Sequence, residues 1–159
     1  MIEEIKPEHF DKILKMNAAF VHWLAPLDVA GLEALMSSCI YARQIGGGDA
    51  VLLAIASETE MADHTNLSWL KSRNENFIYI DRVIVSAPAQ GQGYAGLLYT
   101  DLAAFGRANG YDSLTCEVNL LPANPGSHAF HLRQGYHALG DFNHPHTGKS
   151  VRYYAKALK

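Results

Sequence analysis

A buried-strand pattern that leads into a glycine-rich turn constrains the fold of this chain more than any other feature. The segment FIYIDRVIV, residues 77–85, is almost continuously β-branched or aromatic, which predicts a strand covered on both faces of a sheet. Gly91, Gly93 and Gly96 follow it, and apolar residues at helical spacing begin at Ala95. The first N–H groups of a helix lack partners within the helix, and the helix dipole is positive at that end. A strand, a glycine turn and a helix in this order therefore predict a turn that binds a phosphate group.

The rest of the chain predicts a mixed sheet with helices on both faces. Apolar and β-branched segments predict further strands at residues 2–5, 39–45, 50–57, 113–119, 136–139 and 150–157. Helices are predicted to begin at Pro7, after Asp28, after the glycine turn, and at Pro125 with Asn124 as its cap. Residues 58–76 are polar and mixed, which predicts a long connection. The resulting order, β-α-α-β-β-β-α-β-α-β-β, is that of an α/β fold with a mixed, mostly antiparallel central sheet flanked by helices.

Composition limits the classes of function that this chain can have. Its 159 residues fit one domain, so we predict a single domain over residues 1–159. The formal net charge is −3 and no Lys/Arg cluster occurs, so nucleic acid is not an expected partner. There is no apolar run of about 18 residues, so we expect no membrane span. The two cysteines form no disulfide framework and the N-terminus is unlike a signal peptide, which together predict a cytoplasmic protein.

The glycine turn can be interpreted in two registers, of which the first is nucleotide binding. Gly91, Gly93 and Gly96 form the dinucleotide pattern G-x-G-x-x-G, and Glu117 follows at roughly the 20-residue distance of a ribose-binding acid. However, only about 60 residues follow the turn, which is too few for the usual six-stranded nucleotide-binding sheet. The strands before the turn are also predicted to be antiparallel, which argues against this register.

The second register begins at Gln90 and is supported by a motif further along the chain. The segment QGQGYA, residues 90–95, matches [R/Q]-x-x-G-x-[G/A]. The segment NPGSHAFHLRQGY, residues 124–136, is similar to N-x-x-[A/S]-x-x-F-Y-x-x-x-G-[F/Y], with His131 in place of the motif's tyrosine and matches at Asn124, Ser127, Phe130, Gly135 and Tyr136. With these two motifs and its element order, the chain resembles the GNAT superfamily of acyl-CoA N-acetyltransferases. The clear motifs cover residues 77–140, and the first 75 residues agree in pattern only.

The resemblance implies acetyl-CoA as the cosubstrate and no metal. In this family two parallel central strands, here 77–85 and 113–119, splay apart, and the pantetheine arm of the cosubstrate lies between them. Backbone groups of the first strand would bind the pantetheine amides at Val83, Ile84 and Val85. Backbone N–H groups would hold the pyrophosphate at Gln90, Gly91, Gln92, Gly93, Tyr94 and Ala95, and the later motif would contact the cosubstrate through Asn124, Ser127 and Phe130.

The resemblance also implies direct transfer of the acetyl group to an amine, without a nucleophilic Ser or Cys. The amine must lose a proton, and Asp81 is the first candidate for the base or the water-ordering group, because it is a carboxylate in an apolar strand. Glu117 is the second candidate, and for each carboxylate the alternative is a structural ion pair. Alternation along the strand is expected to point Arg82 to the face opposite Asp81. His131 would protonate the leaving thiolate, or would bond to the backbone while another group acts as the acid.

The acceptor is expected to be a small-molecule or peptide amine bound by the N-terminal half and the 58–76 connection. The candidate substrate-binding residues are Asn17, Trp23, Asn66, Trp69 and Tyr79, although both tryptophans are equally compatible with a place in the core. His128 lies one helical turn from His131, but no Cys, Asp or Glu accompanies the pair at ligand spacing, so no metal is expected. Two other functions stay open, a CoA-binding regulatory protein without activity and a nucleotide-binding module. A homodimer is compatible with the sequence.

Overall fold

Seven strands form one sheet, and five helices flank it. The structure is a computed structural model that describes residues 1–159. Its strands are β1 Ile2–Glu4, β2 Tyr41–Ile45, β3 Ala50–Ala56, β4 Phe77–Val85, β5 Ser113–Leu121, β6 His137–Asn143 and β7 Ser150–Ala157. Its helices are α1 Phe10–Ala19, α2 Val29–Ser38, α3 Thr65–Lys71, α4 Tyr94–Ala108 and α5 Pro125–Arg133.

The sheet is mixed and mostly antiparallel. Its strand order is β1-β2-β3-β4-β5-β7-β6. The β1–β2, β2–β3, β5–β7 and β6–β7 pairs are antiparallel, whereas β4 and β5 are parallel. The parallel pairing joins Phe77–Tyr79 to Ser113–Thr115, the first three residues of two nine-residue strands. The predicted fold class is therefore confirmed.

The residues group into two compact units. The first comprises Met1–Ala56 and Ile80–Phe105, and the second comprises Ser57–Tyr79 and Gly106–Lys159. The expected single domain over residues 1–159 stays a prediction. No helix is both long enough and apolar enough to cross a membrane.

In the first unit, a hairpin and two helices form the element order that the sequence predicts. Strand β3 is buried at every position, as its continuous apolar run requires. The β2–β3 turn contains Gly46, Gly47 and Gly48, all with positive φ. Asp28 caps α2, because its side chain accepts a hydrogen bond of 2.7 Å from the Gly31 N–H.

In the second unit, the 58–76 connection contains a helix that the sequence did not predict. Helix α3 occupies Thr65–Lys71, and its Leu67 and Leu70 are buried one turn apart. Its cap is His64, whose Nδ1 accepts a hydrogen bond of 3.2 Å from the Leu67 N–H. Three apolar residues and a histidine cap are too short a pattern to distinguish from a loop, so the helix depends on tertiary packing.

The start of α5 differs from the prediction in one detail. The helix begins at Pro125, as predicted, but the Asn124 side chain makes no capping hydrogen bond. Proline fixes φ in the helical range and has no N–H to satisfy, so it supports this helix start without a side-chain cap.

Candidate active site

The glycine turn of the first unit presents its backbone to solvent. Gly91 and Gly93 have φ of +85° and +80°, and a Cβ built on either would meet no atom within 4 Å. The first hydrogen bond within α4 runs from the Leu97 N–H to the Gly93 carbonyl at 3.1 Å. Gly93 is therefore the N-cap, and the N–H groups of residues 93–96 have no acceptor within the helix. Together with the positive end of the helix dipole, this open turn can bind an anionic group.

The residues that lead into the turn are partly engaged with one another. The Gln90 N–H donates to the carbonyls of Ser86 at 3.1 Å and Ala87 at 3.3 Å. The Gln90 side chain donates to the Val85 carbonyl at 3.3 Å. The predicted pyrophosphate contact of the Gln90 N–H thus competes with bonds inside the turn, and residues 91–95 remain the better candidates.

The first unit also contains a buried ion pair on β4. Arg82 donates from Nε to Asp81 Oδ2 at 2.8 Å, and the two side chains are 10% and 8% exposed. Arg82 also donates from Nη1 to Asn17 Oδ1 at 2.7 Å, and Asn17 donates from Nδ2 to the Ala25 carbonyl at 2.9 Å. Contrary to the expectation from alternation, Arg82 therefore meets Asp81. Its long flexible arm lets the guanidinium reach a neighbouring residue, and Asn17 on α1 holds it there.

This pair bears on two predicted site residues. The alternative role of Asp81, an ion pair, is present in the structure, and its role as a base stays a prediction. Asn17 is fully buried and binds Arg82, so it supports the pair, and its contact with a substrate also stays a prediction. Trp23 lies near His22, with ring centroids 4.9 Å apart, and is half-buried.

The second unit brings together three of the predicted site residues, the Glu117 carboxylate and two side chains that donate to it. Tyr79 donates from its hydroxyl to Glu117 Oε1 at 2.6 Å and Oε2 at 2.9 Å. Asn66 on α3 donates from Nδ2 to Glu117 Oε1 at 3.0 Å. Tyr153 on β7 donates from its hydroxyl to Asn66 Oδ1 at 2.7 Å. We call Tyr79, Glu117, Asn66 and Tyr153 the Glu117 cluster.

Aromatic packing fixes one side of the Glu117 cluster. Trp69 on α3 stacks on Tyr153, with ring centroids 4.0 Å apart and planes inclined by 17°. The Arg73 guanidinium lies 4.0 Å from the Trp69 ring centroid. Burial and then the nearby Glu117 carboxylate raise the pKa of Tyr153, which keeps its hydroxyl protonated as a donor. Tyr153 was not identified from the sequence, because only the pairing of β5 with β7 sets it opposite Glu117.

His131 lies in the core of the second unit. It is 3% exposed, and its Nδ1 lies 2.7 Å from the Ser127 carbonyl oxygen. A carbonyl only accepts, so Nδ1 carries the proton. Burial lowers the pKa of His131, which favours the neutral ring. These surroundings support the alternative in which His131 bonds to the backbone and another group acts as the acid. The role of His131 as the acid itself stays a prediction.

His128, one turn earlier on α5, is held between two partners. Its Nε2 lies 2.9 Å from the Asn119 carbonyl oxygen, so Nε2 carries the proton and Nδ1 accepts from the Tyr154 hydroxyl at 2.6 Å. The structure contains no group of three or more His, Cys, Asp or Glu side chains that could hold a metal ion. His128 is thus a bridge between α5, β5 and β7.

Burial of His131 leads to a prediction about stability and pH. Because the pKa of His131 is lower in the folded protein than in the unfolded chain, the unfolded chain binds more protons. The stability that the buried, neutral His131 contributes is fully present at pH values above the unfolded pKa of about 6.5. This contribution is lost as the pH falls below that value. Urea denaturation of wild type and His131→Phe between pH 7.5 and about 5 should show a flatter pH dependence in the variant.

The control for this measurement is His144→Gln. His144 also has a pKa lowered by burial, but it lies on the β6–β7 hairpin and is more exposed than His131. Its variant should keep most of the wild-type slope. An unchanged slope in His131→Phe would contradict the assignment of His131 as a buried neutral histidine.

Comparison with known proteins decides the family. The model of the Acetyltransferase (GNAT) family matches residues 33–136, which include both the glycine turn and the 124–136 segment. The chain belongs to the GNAT acetyltransferase family. Proteins of this family use acetyl-CoA, and the fold described above is the GNAT fold.

Solved structures agree with the GNAT fold at low sequence identity. Ard1 from Thermoplasma volcanium is 10% identical with a TM-score of 0.78, over 100% of this chain and 97% of that chain. An N-acetyltransferase from Staphylococcus aureus Mu50 is 19% identical with a TM-score of 0.72, over 100% and 98%. The ribosomal-protein-S18-alanine N-acetyltransferase from Escherichia coli is 12% identical with a TM-score of 0.72, over 100% and 94%. No curated protein sequence matches the chain. At these identities the structural likeness shows the fold alone.

Proposed function

We propose that this GNAT protein is an acetyl-CoA-dependent N-acetyltransferase that transfers the acetyl group directly to a primary amine of a small molecule or peptide. The observation that carries the proposal is the open glycine turn at the start of α4, with Gly91 and Gly93 in the left-handed conformation, in a chain of this family. A peripheral anion site of this kind suits a pyrophosphate, which has two negatively charged groups to satisfy.

The cosubstrate would be held mainly by backbone. The N–H groups of residues 91–95 would bind the pyrophosphate, and Val83, Ile84 and Val85 at the end of β4 would bind the pantetheine amides. On α5, Asn124, Ser127 and Phe130 would contact the pantetheine arm. Backbone recognition requires a fixed turn shape rather than particular side chains, which is consistent with glycine at the two positive-φ positions of the turn, Gly91 and Gly93.

Direct transfer fits the state of both cysteines. Burial raises the pKa of Cys39 to about 12 and raises the pKa of Cys116 well above its ordinary value. A thiol is nucleophilic as the thiolate, so neither side chain is suited to carry the acetyl group. The neutral amine of the acceptor would attack the thioester carbonyl and form the new C–N bond. The C–S bond would break, and CoA would leave as a thiolate that takes up the proton lost by the acylated nitrogen. Both free cysteines are also consistent with a cytoplasmic location.

The acceptor must lose a proton, because a protonated alkyl amine has a pKa of about 10 and is not nucleophilic. We propose Glu117 as the group that accepts it, directly or through water. Glu117 is half-buried and lies two residues beyond Thr115, the last β5 residue that pairs with β4. Asp81, the first candidate from the sequence, is tied to the Arg82 guanidinium, which favours a structural role for it.

Gly93→Ala is expected to weaken acetyl-CoA binding about tenfold, which corresponds to about 1.4 kcal/mol. The new Cβ forces an unfavourable φ and projects into the open space where the pyrophosphate would lie. The matched control is Gly110→Ala, because Gly110 has φ of +79° and equally open surroundings at the other end of α4. Thermal denaturation should show similar losses of stability in the two variants, whereas calorimetric titration with acetyl-CoA should show weaker binding in Gly93→Ala only. Equal dissociation constants for both variants would contradict this placement of the cosubstrate.

Titration of the wild-type protein with acetyl-CoA and with NAD tests whether acetyl-CoA is the cosubstrate. We expect saturable binding of acetyl-CoA and none of NAD at the same concentrations. Binding of NAD without binding of acetyl-CoA would overturn the proposal and would favour the dinucleotide register of the glycine turn.

A second candidate function is a CoA-binding regulatory protein without activity. The observation that favours it is His131, which replaces the family's tyrosine and is buried against the backbone of its own helix. Such a protein would bind acetyl-CoA as well as an enzyme does, so only turnover distinguishes the two. A homodimer stays a prediction for either function.

A further inference from the structure

The hydrogen bonds of the Glu117 cluster have one fixed direction. A carboxylate accepts only, so the Tyr79 hydroxyl and the Asn66 amide nitrogen must both donate to Glu117. The amide oxygen of Asn66 is then the acceptor for the Tyr153 hydroxyl. The Tyr153 hydroxyl donates to Asn66 and Asn66 donates to Glu117, so a flip of the Asn66 amide would break both bonds. The cluster therefore holds the carboxylate as an acceptor in one orientation.

The four side chains of the Glu117 cluster differ in how deeply they are buried. Tyr79 and Tyr153 are 1% and 0% exposed, whereas Glu117 and Asn66 are half-buried. A ligand in solution can approach Glu117 and Asn66 but not the two phenol rings. Tyr153 is itself held by its stacking on Trp69 and by its register opposite Glu117. The two tyrosines thus form a rigid, buried support for Glu117 and Asn66, the two side chains that a substrate can contact.

Asn66 connects the buried Tyr153 to Glu117. It comes from α3, a helix inserted between β3 and β4, and it contacts both Tyr153 and Glu117. A single amide fixes the position of a carboxylate oxygen only when its own rotation is prevented, and the Tyr153 bond prevents it. Removing either bond would let the Glu117 carboxylate turn and would remove a donor that stabilises its charge.

We propose that Asn66 is a positioning residue that orients the Glu117 carboxylate to accept the proton of the substrate amine, and that Tyr153 fixes Asn66 in this role. This inference rests on the proposed function, in which Glu117 accepts that proton. Proton transfer from the amine to Glu117 frees the nitrogen lone pair for attack on the thioester, and the carboxyl group later returns the proton to solvent. Helix α3 would then contribute to catalysis without touching the reacting atoms.

Several titratable and charged groups lie in or next to the Glu117 cluster and must be considered in any pH measurement. The titratable and charged neighbours on the surrounding elements are Tyr79 on β4, His64 before α3, Arg73 after α3, Cys116 on β5 and Tyr153 on β7. His64 accepts a hydrogen bond at Nδ1 as the α3 cap, and the pKa of both Cys116 and Tyr153 is raised. The two asparagine variants used below leave all these neighbours unchanged, and Tyr153→Phe removes only the phenol hydroxyl of one of them.

The test compares Asn66→Asp with Asn74→Asp. Asn66→Asp keeps the shape and the acceptor for Tyr153 but replaces the donor to Glu117 with a negative charge. Asn74 lies after the same helix and donates to the Leu70 carbonyl at 3.1 Å, so its variant makes the same chemical change away from Glu117. Tyr153→Phe removes the support of Asn66 without adding charge and serves if Asn66→Asp does not fold.

We expect the acidic limb of the kcat profile to move up by about one pH unit or more in Asn66→Asp, with KM for the amine changed less than about threefold. Tyr153→Phe should shift it in the same direction by less, and Asn74→Asp should match wild type. Titration of the Glu117 carboxyl carbon by NMR reads the same shift without turnover. Unchanged kinetics and titration in both cluster variants would overturn the inference.

Failure of the proposed function gives a different result. If the wild-type protein acetylates no amine, the proposed function is wrong. The catalytic role of Asn66 is then wrong as well, regardless of the NMR titration. If wild type is active and the Asn66→Asp profile equals that of Asn74→Asp, only the positioning role is wrong.

Discussion

Glu117→Gln is expected to lower kcat for acetyl transfer by about 10²–10⁴-fold at neutral pH, the range expected for loss of a general base. The amide keeps the size of the side chain and an oxygen that accepts from Tyr79 and Asn66, but it cannot take a proton from the substrate amine. KM for acetyl-CoA should stay near the wild-type value. Steady-state kinetics with a fixed primary amine, together with thermal denaturation, would separate the loss of chemistry from a loss of fold.

Asp81→Asn is the matched control for this experiment. It makes the same carboxylate-to-amide change on the other candidate, whose partner is Arg82. We expect its main effect on stability, with kcat within about tenfold of wild type. If Asp81→Asn abolished transfer while Glu117→Gln remained active, the assignment of the base to Glu117 would be wrong and the sequence-based choice of Asp81 would be right.

Arg82→Met is expected to lower the free energy of unfolding by about 3–5 kcal/mol, the cost of removing one partner from a buried ion pair. Methionine retains much of the apolar stem but removes the guanidinium that binds Asp81 and Asn17. Asp81 is 8% exposed and Asn17 is fully buried, so water cannot easily replace what they lose. Urea denaturation at neutral pH would measure the change.

An exposed arginine offers the control. Arg152 binds Asp141 through two hydrogen bonds of 2.7 and 3.0 Å, with side chains 39% and 46% exposed. Arg152→Met should lower the free energy of unfolding far less than Arg82→Met does, because water screens an exposed pair. The double variant Asp81→Asn with Arg82→Met should regain part of the lost stability, since it leaves no buried charge. Equal effects of the two single arginine variants would contradict a buried role for Arg82.

The elements nearest the glycine turn could be predicted well from the sequence. The bounds of β4 match the apolar run of residues 77–85, and α4 begins within the predicted turn. Both predictions rest on strong local signals, a continuous β-branched run and glycines with positive φ. The element order apart from α3, and the family, followed from such signals combined with the second motif at residues 124–136.

The arrangement of the site could not be predicted in the same way. Helix α3 has too few apolar residues to be predicted from the sequence, yet it supplies Asn66 and Trp69. Tyr153 is one of several aromatic residues near the C-terminus, and only strand register places it opposite Glu117. The bond between Arg82 and Asp81 depends on a flexible side chain and on Asn17. Each of these features depends on at least one contact between residues that are distant in sequence, which periodicity along a chain does not encode.

Transfer of an acetyl group to an amine tests the central claim most directly. Wild-type protein would be incubated with acetyl-CoA and a pool of primary amines that includes alkyl amines, amino acids and short peptides, and the products would be analysed by mass spectrometry. We predict at least one amine with the added mass of one acetyl group, in amounts that equal the CoA released and that exceed the amount of protein. Saturable binding of acetyl-CoA with no acetylated amine would contradict the account and would favour a CoA-binding regulatory protein.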